Sequence, residues 1–379
     1  MADSCKFKIG DIITLEYGKG LKDYRSGKGK YDVFGTNGKI GLTYEFLYDE
    51  PSIIIGRKGA YREVHLAKPP FFVIDTAFYT KKKIKDLDNL YLYFWFKNID
   101  INQMDSGSAI PSTSRDEVYD LDINLPSLPE QKAIASVLSS LDDKIDLLHC
   151  QNKTLEAMAE TLFRQWFVEE VQEGWEEGKL GDYINVKHGY AFKGKFITTE
   201  RNNQILVTPG NFKIGGGFKF GKMKYFIGSD YPKEYIFFSD DLIVTMTDLS
   251  KEGDTLGYSA LIPEHNQDEV LYLHNQRVGR VEFKKDISKY FVYYLMKTDD
   301  YQWFILGGAS GTSVRHTSPT SICNYPFQVP PMKRIKEFDT IVNELISKVH
   351  KNQTQIRTLE KLRDTLLPKL MSGEIRVKI

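Results

Sequence analysis

The sequence has few cysteines, and the three that it has are widely separated. Cys5, Cys150 and Cys323 are odd in number and lack the spacing typical of metal ligands. This argues against a disulfide framework and favours a reducing, cytoplasmic location. The sequence also lacks an apolar run near 20 residues, and its first residues show no basic segment followed by an apolar core. We therefore expect neither a membrane span nor a signal peptide.

The sequence also has no net charge. The 51 basic and 51 acidic side chains of the 379 residues cancel, whereas domains that bind nucleic acid commonly have a basic surface. Any basic surface must therefore come from an uneven distribution of charge within a domain. A hydrophobic content of 41% and a charged content of 27% are those of an ordinary soluble globular protein, and the length allows two or three domains.

A heptad pattern, by contrast, occurs twice. Seven-residue repeats start at Ile134 and Leu138, and they return 204 residues later at Phe338 and Val342. The predicted helix seam consists of Ile134, Leu138, Leu141, Ile145, Leu148, Asn152 and Leu155 in the first helix and of Phe338, Val342, Leu345, Val349, Asn352, Ile356 and Leu359 in the second. Such a seam is typical of long helices that pair with each other. Buried asparagines at 152 and 352 would fix the register, and a widened seam near solvent is an equally open alternative.

The segments that precede the two helices resemble each other. The sequence KIGD at 8–11 returns as KLGD at 179–182, and Thr-Ser at 113–114 returns at 317–318. Short runs such as 11–15 and 52–55, bounded by Gly, Asn and Asp, predict strands. The aromatic run 91–96 is compatible with either a helix or a strand.

We therefore predict an α+β fold built as a tandem repeat with a pseudo-two-fold axis. Two similar, mixed, strand-rich globular domains are joined by two long helices that pair as an antiparallel coiled coil. The predicted boundaries are 1–128 for the first domain, 129–173 for the first spacer helix, 174–330 for the second domain and 331–379 for the second spacer helix and tail. The first helix should end before Gly174 and the second at Gly373.

Three stretches approximate catalytic motifs. GGFKFGKM at 216–223 has methionine where a P-loop requires Ser or Thr. NYPF at 324–327 approaches the NPPF loop of amino-methyltransferases but lacks its first proline. Asp122, Glu130 and Lys132 have the order found in many nucleases, although Glu130 fits better in a helix capping box. The seven histidines show no ligand spacing, so we predict no catalytic residue and no metal in this chain.

Two long stretches resemble a known family. LPSLPEQKAIA at 125–135, continuing to FRQWFV at 163–168, is similar to the central conserved region of the specificity subunits of type I restriction–modification enzymes. LLPKLMSGEIRV at 366–377 is similar to their C-terminal conserved region. The resemblance covers the whole arrangement of domain, helix, domain and helix.

The resemblance implies a non-catalytic DNA-recognition subunit. Each globular domain would read one half of a bipartite double-stranded DNA target, and the helices would set the gap between the halves. The helices would also dock two methyltransferase subunits, which bind S-adenosylmethionine and methylate adenine. Restriction subunits would add ATP-driven translocation and DNA cleavage, so S-adenosylmethionine, ATP and Mg²⁺ are expected on partner subunits and no cofactor is expected on this chain.

Loops are the expected place of contact with DNA. Base recognition uses Arg, Lys, Asn, Gln, Ser or Thr side chains on protruding segments, and phosphate contacts use Lys, Arg and backbone donors. The predicted DNA-binding residues are Tyr17, Lys19, Lys22, Arg57, Lys58, Ser108 and Arg115 in the first domain and Tyr190, Lys193, Lys195, Thr247, Arg277, Arg315 and His316 in the second. For each one, a solvated surface side chain is the alternative. Because the two sets differ, we predict two different half-sites and a non-palindromic target.

A protein from another functional class would explain the pattern differently. A coiled-coil adaptor that holds two protein-interaction modules would also need paired helices, and the neutral net charge is its best support. It predicts no sequence-selective DNA binding, either alone or in a complex.

Overall fold

The computed structural model of the chain describes residues 5–104, 111–221, 223–248, 250, 252–311 and 314–378. The chain forms two compact units: unit 1 comprises Met1–Leu147 and Ile356–Ile379, and unit 2 comprises Leu148–Gln355. Each unit contains a strand-rich globular part and a portion of both long helices. No helix within the described ranges is long and apolar enough to cross a membrane.

Unit 1 is mainly antiparallel sheet with short helices. Its strands are β1 (Cys5–Lys8), β2 (Ile13–Tyr17), β3 (Tyr31–Gly35), β4 (Gly38–Thr43), β5 (Ser52–Gly56), β6 (Val64–Ala67), β7 (Phe71–Val73), β8 (Ala77–Lys82) and β9 (Asp122–Leu125). Its short helices are α1 (Ile9–Ile12), α2 (Asn89–Lys97) and α3 (Arg115–Tyr119). The first long helix is α4 (Leu128–Arg164), and a π-helical turn, Gln165–Glu169, follows it.

The largest sheet of unit 1 has the strand order β2-β8-β5-β6 and is antiparallel throughout. Strand β5 lies inside this sheet, and all of its residues are buried, which explains its continuous apolar run. A second sheet has the order β4-β3-β7, and β1 pairs with β9. The core beneath the large sheet includes α2, whose residues Tyr91, Leu92 and Phe96 are almost fully buried.

Unit 2 has more strands than unit 1. They are β10 (Glu176–Lys179), β11 (Ile184–His188), β12 (Ile197–Thr198), β13 (Gln204–Val207), β14 (Lys224–Phe226), β15 (Ile236–Phe237), β16 (Leu242–Thr245), β17 (Thr247–Asp248), β18 (Ser259–Leu261), β19 (Leu271–His274), β20 (Val278–Phe283), β21 (Arg315–His316) and β22 (Pro326–Val329). Its helices are α5 (Lys289–Leu295), α6 (Asp299–Gly307), α7 (Pro319–Cys323) and the second long helix α8 (Met332–Ser372), of which the last part belongs to unit 1.

The sheets of unit 2 repeat those of unit 1. The order β11-β20-β16-β18 has the same connectivity as β2-β8-β5-β6, and β10 pairs with β22 as β1 pairs with β9. The additional strands extend the second sheet to β12-β14-β13-β19-β15. The predicted duplication is therefore confirmed at the level of strand order, and the insertions of the second copy enlarge one sheet.

The long helices pack against each other in antiparallel sense within each unit. In unit 1, Ile134 and Leu138 of α4 share a core cluster with Leu370 and Met371 of α8. In unit 2, Phe163 of α4 lies with its ring centroid 5.8 Å from that of Phe338. Of the predicted seam, Leu141, Leu155, Leu345 and Leu359 are half-buried, and the remaining residues are buried.

Two asparagines are buried at the middle of this seam. Asn152 and Asn352 are 8% and 3% exposed, and the side-chain amide of Asn352 donates to the Asn152 carbonyl oxygen at 2.9 Å. The pair therefore satisfies part of its own hydrogen-bonding capacity inside the apolar seam. This geometry favours the register-fixing role over a widened seam near solvent.

Local predictions have mixed outcomes. The aromatic run 91–96 is helical, because Asp88 caps α2 by accepting a hydrogen bond from the Tyr91 backbone. Helix α4 ends before Gly174, and α8 ends at Ser372, directly before Gly373, which has a φ of 78°. An apolar run that begins at Asp11 is strand only from Ile13 onward, because residues 9–12 form a helical turn.

Candidate nucleic-acid interface

Four loops of unit 1 meet at one end of the large sheet, and we call them loop site 1: residues 17–19, 57–58, 74–76 and 111–115. Backbone hydrogen bonds join them. Lys19 N donates to Val73 O at 2.9 Å, Arg57 N donates to Thr76 O at 2.9 Å, and Thr113 N donates to Arg57 O at 2.9 Å. Segments far apart in sequence are thus held as one rigid platform.

A close backbone contact explains the glycine in the first loop. A Cβ atom on Gly18 would lie 2.0 Å from the carbonyl oxygen of Ile74, which is far inside van der Waals contact. Only glycine allows the chain to pass so near the neighbouring loop. Gly18 therefore places Tyr17 and Lys19 beside the loop that precedes β8.

Tyr17, Arg57 and Arg115 form a group that we call the Tyr17 cluster. The guanidinium carbons of Arg57 and Arg115 lie 4.8 Å and 4.5 Å from the centroid of the Tyr17 ring. Arg57 also donates from Nη1 to the backbone oxygen of Asp75 at 2.9 Å. Tyr17 is 43% exposed, and its ring packs on Phe78 with centroids 5.0 Å apart. Stacking on an aromatic face fixes the plane of a guanidinium group.

Unit 2 has the same arrangement of backbone, which we call loop site 2: residues 188–190, 246–248, 275–277 and 315–317. Tyr190 N donates to His274 O at 2.8 Å, Met246 N donates to Arg277 O at 3.0 Å, and Thr317 N donates to Met246 O at 3.0 Å. These bonds correspond one by one to the three bonds of loop site 1. A Cβ atom on Gly189 would lie 2.2 Å from the backbone oxygen of Asn275, so this glycine has the role of Gly18.

The side chains of the two loop sites differ although the backbones correspond. The place of Arg57 is taken by Met246, which is 2% exposed, and the place of Thr76 is taken by Arg277, which is exposed. Loop site 2 also contains a short antiparallel pair, β17 with β21, where Thr247 faces His316. The Thr247 hydroxyl lies 3.1 Å from His316 Nδ1.

One carboxylate of loop site 2, that of Asp248, accepts hydrogen bonds from residues that follow it in the chain. Asp248 is buried and accepts hydrogen bonds from Ser250 N at 2.7 Å, from Thr255 N at 2.5 Å and from the Thr255 hydroxyl at 2.6 Å. Burial raises the pKa of Asp248, but the hydrogen bonds from Thr255 and Ser250 outweigh it, and the pKa lies below its ordinary value. The carboxylate is therefore ionised and shapes the loop.

The predicted DNA-binding residues lie as follows. Tyr17, Lys19, Lys22, Lys58, Lys193, Lys195, Arg277 and His316 are exposed, Arg57, Arg115, Tyr190 and Arg315 are half-buried, and Thr247 is buried. Ser108 lies outside the described residues. The structure brings Tyr17, Lys19, Arg57, Lys58 and Arg115 together in loop site 1 and Tyr190, Thr247, Arg277, Arg315 and His316 together in loop site 2. Because Thr247 is only 4% exposed, it positions His316 and offers little surface of its own.

The remaining predicted residues lie in flanking segments. Lys193 precedes a 3₁₀ turn that contains Lys195, and Lys195 Nζ lies 4.9 Å from the Phe196 ring centroid. Lys22 lies in the loop before the turn Tyr24–Ser26. These exposed lysines are suited to phosphate contacts, which need charge and reach without fixed geometry.

Sequence reasoning missed the buried Arg62 and also Thr36, which supports loop site 1. Arg62 is 2% exposed and donates from Nη2 to the backbone oxygen of Asn102 at 3.1 Å. The Thr36 hydroxyl lies 2.9 Å from both Lys58 O and Thr76 O and so links two loops. Nothing in the sequence separates a buried arginine from a surface one, because both roles depend on contacts between distant segments.

The stretches that approximate catalytic motifs occupy structural positions. Gly215, Gly216 and Gly217 have φ between 83° and 95° and form a turn. Tyr325 and Phe327 are 7% exposed and belong to the core of unit 2. Asp122 lies in β9, and Glu130 lies in the first turn of α4. Within the described ranges, no group of three or more His, Cys, Asp or Glu side chains is arranged to hold a metal ion.

Comparison with known proteins gives a consistent result. The sequence matches the type I restriction modification DNA specificity domain over residues 1–157 and 172–361. It is similar to the type I restriction enzyme MjaIX specificity subunit of Methanocaldococcus jannaschii, with 28% identity over 329 residues that cover 76% of this chain and 69% of the relative. The MjaVIII specificity subunit of the same organism is 24% identical over 355 residues, which cover 88% of this chain and 81% of the relative.

A solved structure supports the fold. The crystal structure of the type I restriction–modification system S subunit from M. genitalium superposes with a TM-score of 0.63, at 20% identity. The superposition covers 98% of this chain and 96% of that chain. At this level of identity the likeness shows a shared fold, and it extends over both strand-rich parts and both long helices.

Proposed function

The chain belongs to the family of type I restriction–modification specificity subunits, and from this premise we propose that loop site 1 and loop site 2 each read one half of a bipartite DNA target. The observation that supports this most directly is the pair of matching backbone platforms with different side chains. The shared hydrogen bonds give both sites the same shape. The exchange of Arg57 for Met246 and of Thr76 for Arg277 gives them different chemistry, so the two half-sites differ and the target is not a palindrome.

Basic residues are concentrated at the two loop sites, although the chain as a whole has no net charge. Loop site 1 brings together Lys19, Arg57, Lys58 and Arg115, and loop site 2 brings together Arg277 and Arg315 with His316. Lysines at these positions suit phosphate oxygens, and arginines suit both phosphates and base edges. Loop site 1 has four basic residues against one acidic residue, Asp75, and loop site 2 has two arginines against one acidic residue, Asp248. Both loop sites of the neutral chain therefore carry an excess of positive charge.

The long helices are proposed to set the gap between the half-sites and to dock two methyltransferase subunits. Both helices contribute residues to both units, as a spacer requires. We further propose that the chain performs no catalysis and binds no cofactor itself. S-adenosylmethionine would act on the methyltransferase subunits, and ATP and Mg²⁺ would act on restriction subunits where these are present.

Mapping of methylated adenines tests the proposed function. The chain and its methyltransferase partner subunit would be expressed together in cells that lack other adenine methylation, with the methyltransferase subunit alone as the control. We expect methylation confined to one bipartite sequence with a constant gap, and only when this chain is present. Methylation that does not depend on the chain, or that follows a single continuous sequence, would contradict the proposal.

A further inference from the structure

The Tyr17 cluster holds two positive charges close together, and the same loop site contains one exposed carboxylate, that of Asp75. Both guanidinium groups lie within 5 Å of one ring centroid, and neither forms an ion pair with a carboxylate in the described part of the chain. Arg57 is fixed by its bond to the Asp75 backbone. Arg115 donates no side-chain hydrogen bond to any described residue, so its N–H groups are available to a ligand with hydrogen-bond acceptors.

We infer that Arg115 reads a guanine in the half-site of loop site 1, with Tyr17 and Arg57 as positioning residues. The inference rests on the proposed function and deepens it. The major-groove edge of guanine presents the acceptors O6 and N7, and the planar fork of a guanidinium group binds both at once. No other base presents two acceptors there. The first half-site therefore contains a G·C pair that contacts this cluster.

The geometry favours a base edge over a phosphate as the ligand of Arg115. A phosphate contact needs charge and tolerates many orientations, and the exposed Lys19 and Lys58 on the same site suit that role. A guanine contact needs a restrained guanidinium group, and the Tyr17 ring, 4.5 Å from the guanidinium carbon, restrains Arg115. Arg57 restrains the same ring and is itself held at its backbone N–H, at its backbone C=O and at its guanidinium group.

Loop site 2 cannot make the same contact. Met246 occupies the position of the anchoring arginine, and His188 occupies the position of Tyr17 at the strand end. Of the two arginines of this site, Arg277 stands where loop site 1 has Thr76, and Arg315 stands two residues before Thr317, where loop site 1 has Pro111. The second half-site therefore serves as an internal control, because substitutions in the Tyr17 cluster should leave its sequence unchanged.

The test is a selection from random duplex DNA by the complex of this chain with its methyltransferase subunit, using the native chain, Arg115→Lys and Arg115→Ala. We expect the native complex to enrich a guanine at one position of the first half-site. Arg115→Lys keeps the charge but loses the planar fork, so the preference for that guanine should fall, and Arg115→Ala removes the contact, so the preference should fall about 5- to 150-fold. Arg25→Lys is a matched control, since Arg25 also stacks on a tyrosine, Tyr24 at 5.6 Å, outside the loop site.

A second measurement distinguishes a contact with the base from a contact with the phosphate backbone. Replacing the selected guanine by 7-deazaguanine removes the N7 acceptor. Binding of the native complex should weaken, and binding of the Arg115→Ala complex should change little. Because both duplexes have the same phosphates, equal binding by the native complex would overturn the inference in favour of a backbone contact.

The outcomes distinguish the inference from the proposed function. A bipartite site whose first half lacks guanine, or whose guanine survives Arg115→Ala, overturns the inference and leaves the proposed function standing. If Arg115→Lys or Arg115→Ala fails to fold, two other measurements still test the inference. One is binding of the native complex to the 7-deazaguanine duplex. The other is selection with Arg57→Lys, which should weaken the same guanine preference. Absence of any selected site with a folded complex overturns both.

Discussion

At the residue scale, the two loop sites keep their backbone and change their side chains. Gly18 and Gly189 occupy equivalent positions. A Cβ atom added to Gly18 or to Gly189 would lie 2.0 Å or 2.2 Å, respectively, from a backbone oxygen of the neighbouring loop. The position of Arg57 in the first site is held by a buried methionine, Met246, in the second, while Arg277 lies on a neighbouring loop. A shared platform with exchanged side chains allows one fold to recognise two sequences.

The equivalent glycines give a paired prediction. Gly18→Ala should displace the loop that contains Tyr17 and abolish selection of the first half-site only, and Gly189→Ala should abolish selection of the second half-site only. Overpacking of this kind costs about 1–3 kcal/mol of stability. Half-site selection and urea unfolding measure the two effects. Gly307→Ala is the control, because no atom lies within 4 Å of its added Cβ. Loss of both half-sites from either single variant would contradict the separation of the sites.

A buried histidine beneath loop site 2 predicts a dependence of stability on pH. His274 is 0% exposed, and its Nε2 lies 2.8 Å from Val278 O. Burial, together with Arg280, Lys187 and His188, lowers its pKa to about 3 although the bond to Val278 opposes this. The unfolded chain, with a pKa of about 6.5, therefore binds a proton that the folded chain excludes.

This difference in pKa sets the direction in which the free energy of unfolding changes with pH. The stabilisation is complete above pH 6.5 and is lost as pH falls from about 6.5 toward 3, at about 1.4 kcal/mol per pH unit. We expect the unfolding free energy of unit 2 to decrease between pH 6.5 and 5.5, and His274→Leu to flatten this decrease. Urea unfolding at the two pH values measures it. An equal decrease in the variant would show that another group is responsible.

At the element scale, the long helices depend on an apolar seam that contains the buried pair Asn152 and Asn352. Asn352→Leu would leave the buried Asn152 side chain without the partner that now lies 2.9 Å away, and we expect a loss of about 1–3 kcal/mol. The double variant Asn152→Leu with Asn352→Leu removes both polar groups, so it should be more stable than the sum of the single losses predicts.

Urea unfolding of the single and double variants measures this coupling. Asn343→Leu at an exposed position of α8 controls for the effect of the substitution itself. Additive losses in the double variant would mean that the two asparagines do not act as a pair.

The long helices and the duplication were predictable because both have a period that the sequence repeats. The order of strands was not, since pairs such as β3 with β7 and β13 with β19 join parallel strands that are far apart in the chain. Three of the four loops of loop site 1 were predicted by aligning the two copies, and the loop at 74–76 was not. The burial of Thr247 and Arg62 and the supporting contacts of Thr36 were not predicted, because burial arises from segments that meet only in the folded protein.

At the scale of the whole molecule, the proposed spacer role of the helices gives a length prediction. Insertion of four residues after Asn152 in α4 and four before Asn352 in α8 adds about one turn, or about 6 Å, to each helix. The seam continues through such an insertion with local unwinding. The gap between half-sites should grow by about one or two base pairs, since each pair spans about 3.4 Å.

Duplex selection with the lengthened chain measures the gap. A four-residue insertion between the exposed Glu200 and Arg201 is the control and should leave the gap unchanged. If the lengthened chain folds, assembles and selects the original gap, the helices do not set the spacing.

The central claim is that one chain reads two different DNA sequences at a fixed separation. Selection from a random duplex pool by the native chain, assembled with its methyltransferase subunit, tests this claim most directly. The account predicts enrichment of two short, dissimilar sequences separated by a constant number of unspecified base pairs. Enrichment of one continuous sequence, of two identical inverted sequences, or of none by a folded complex would contradict it.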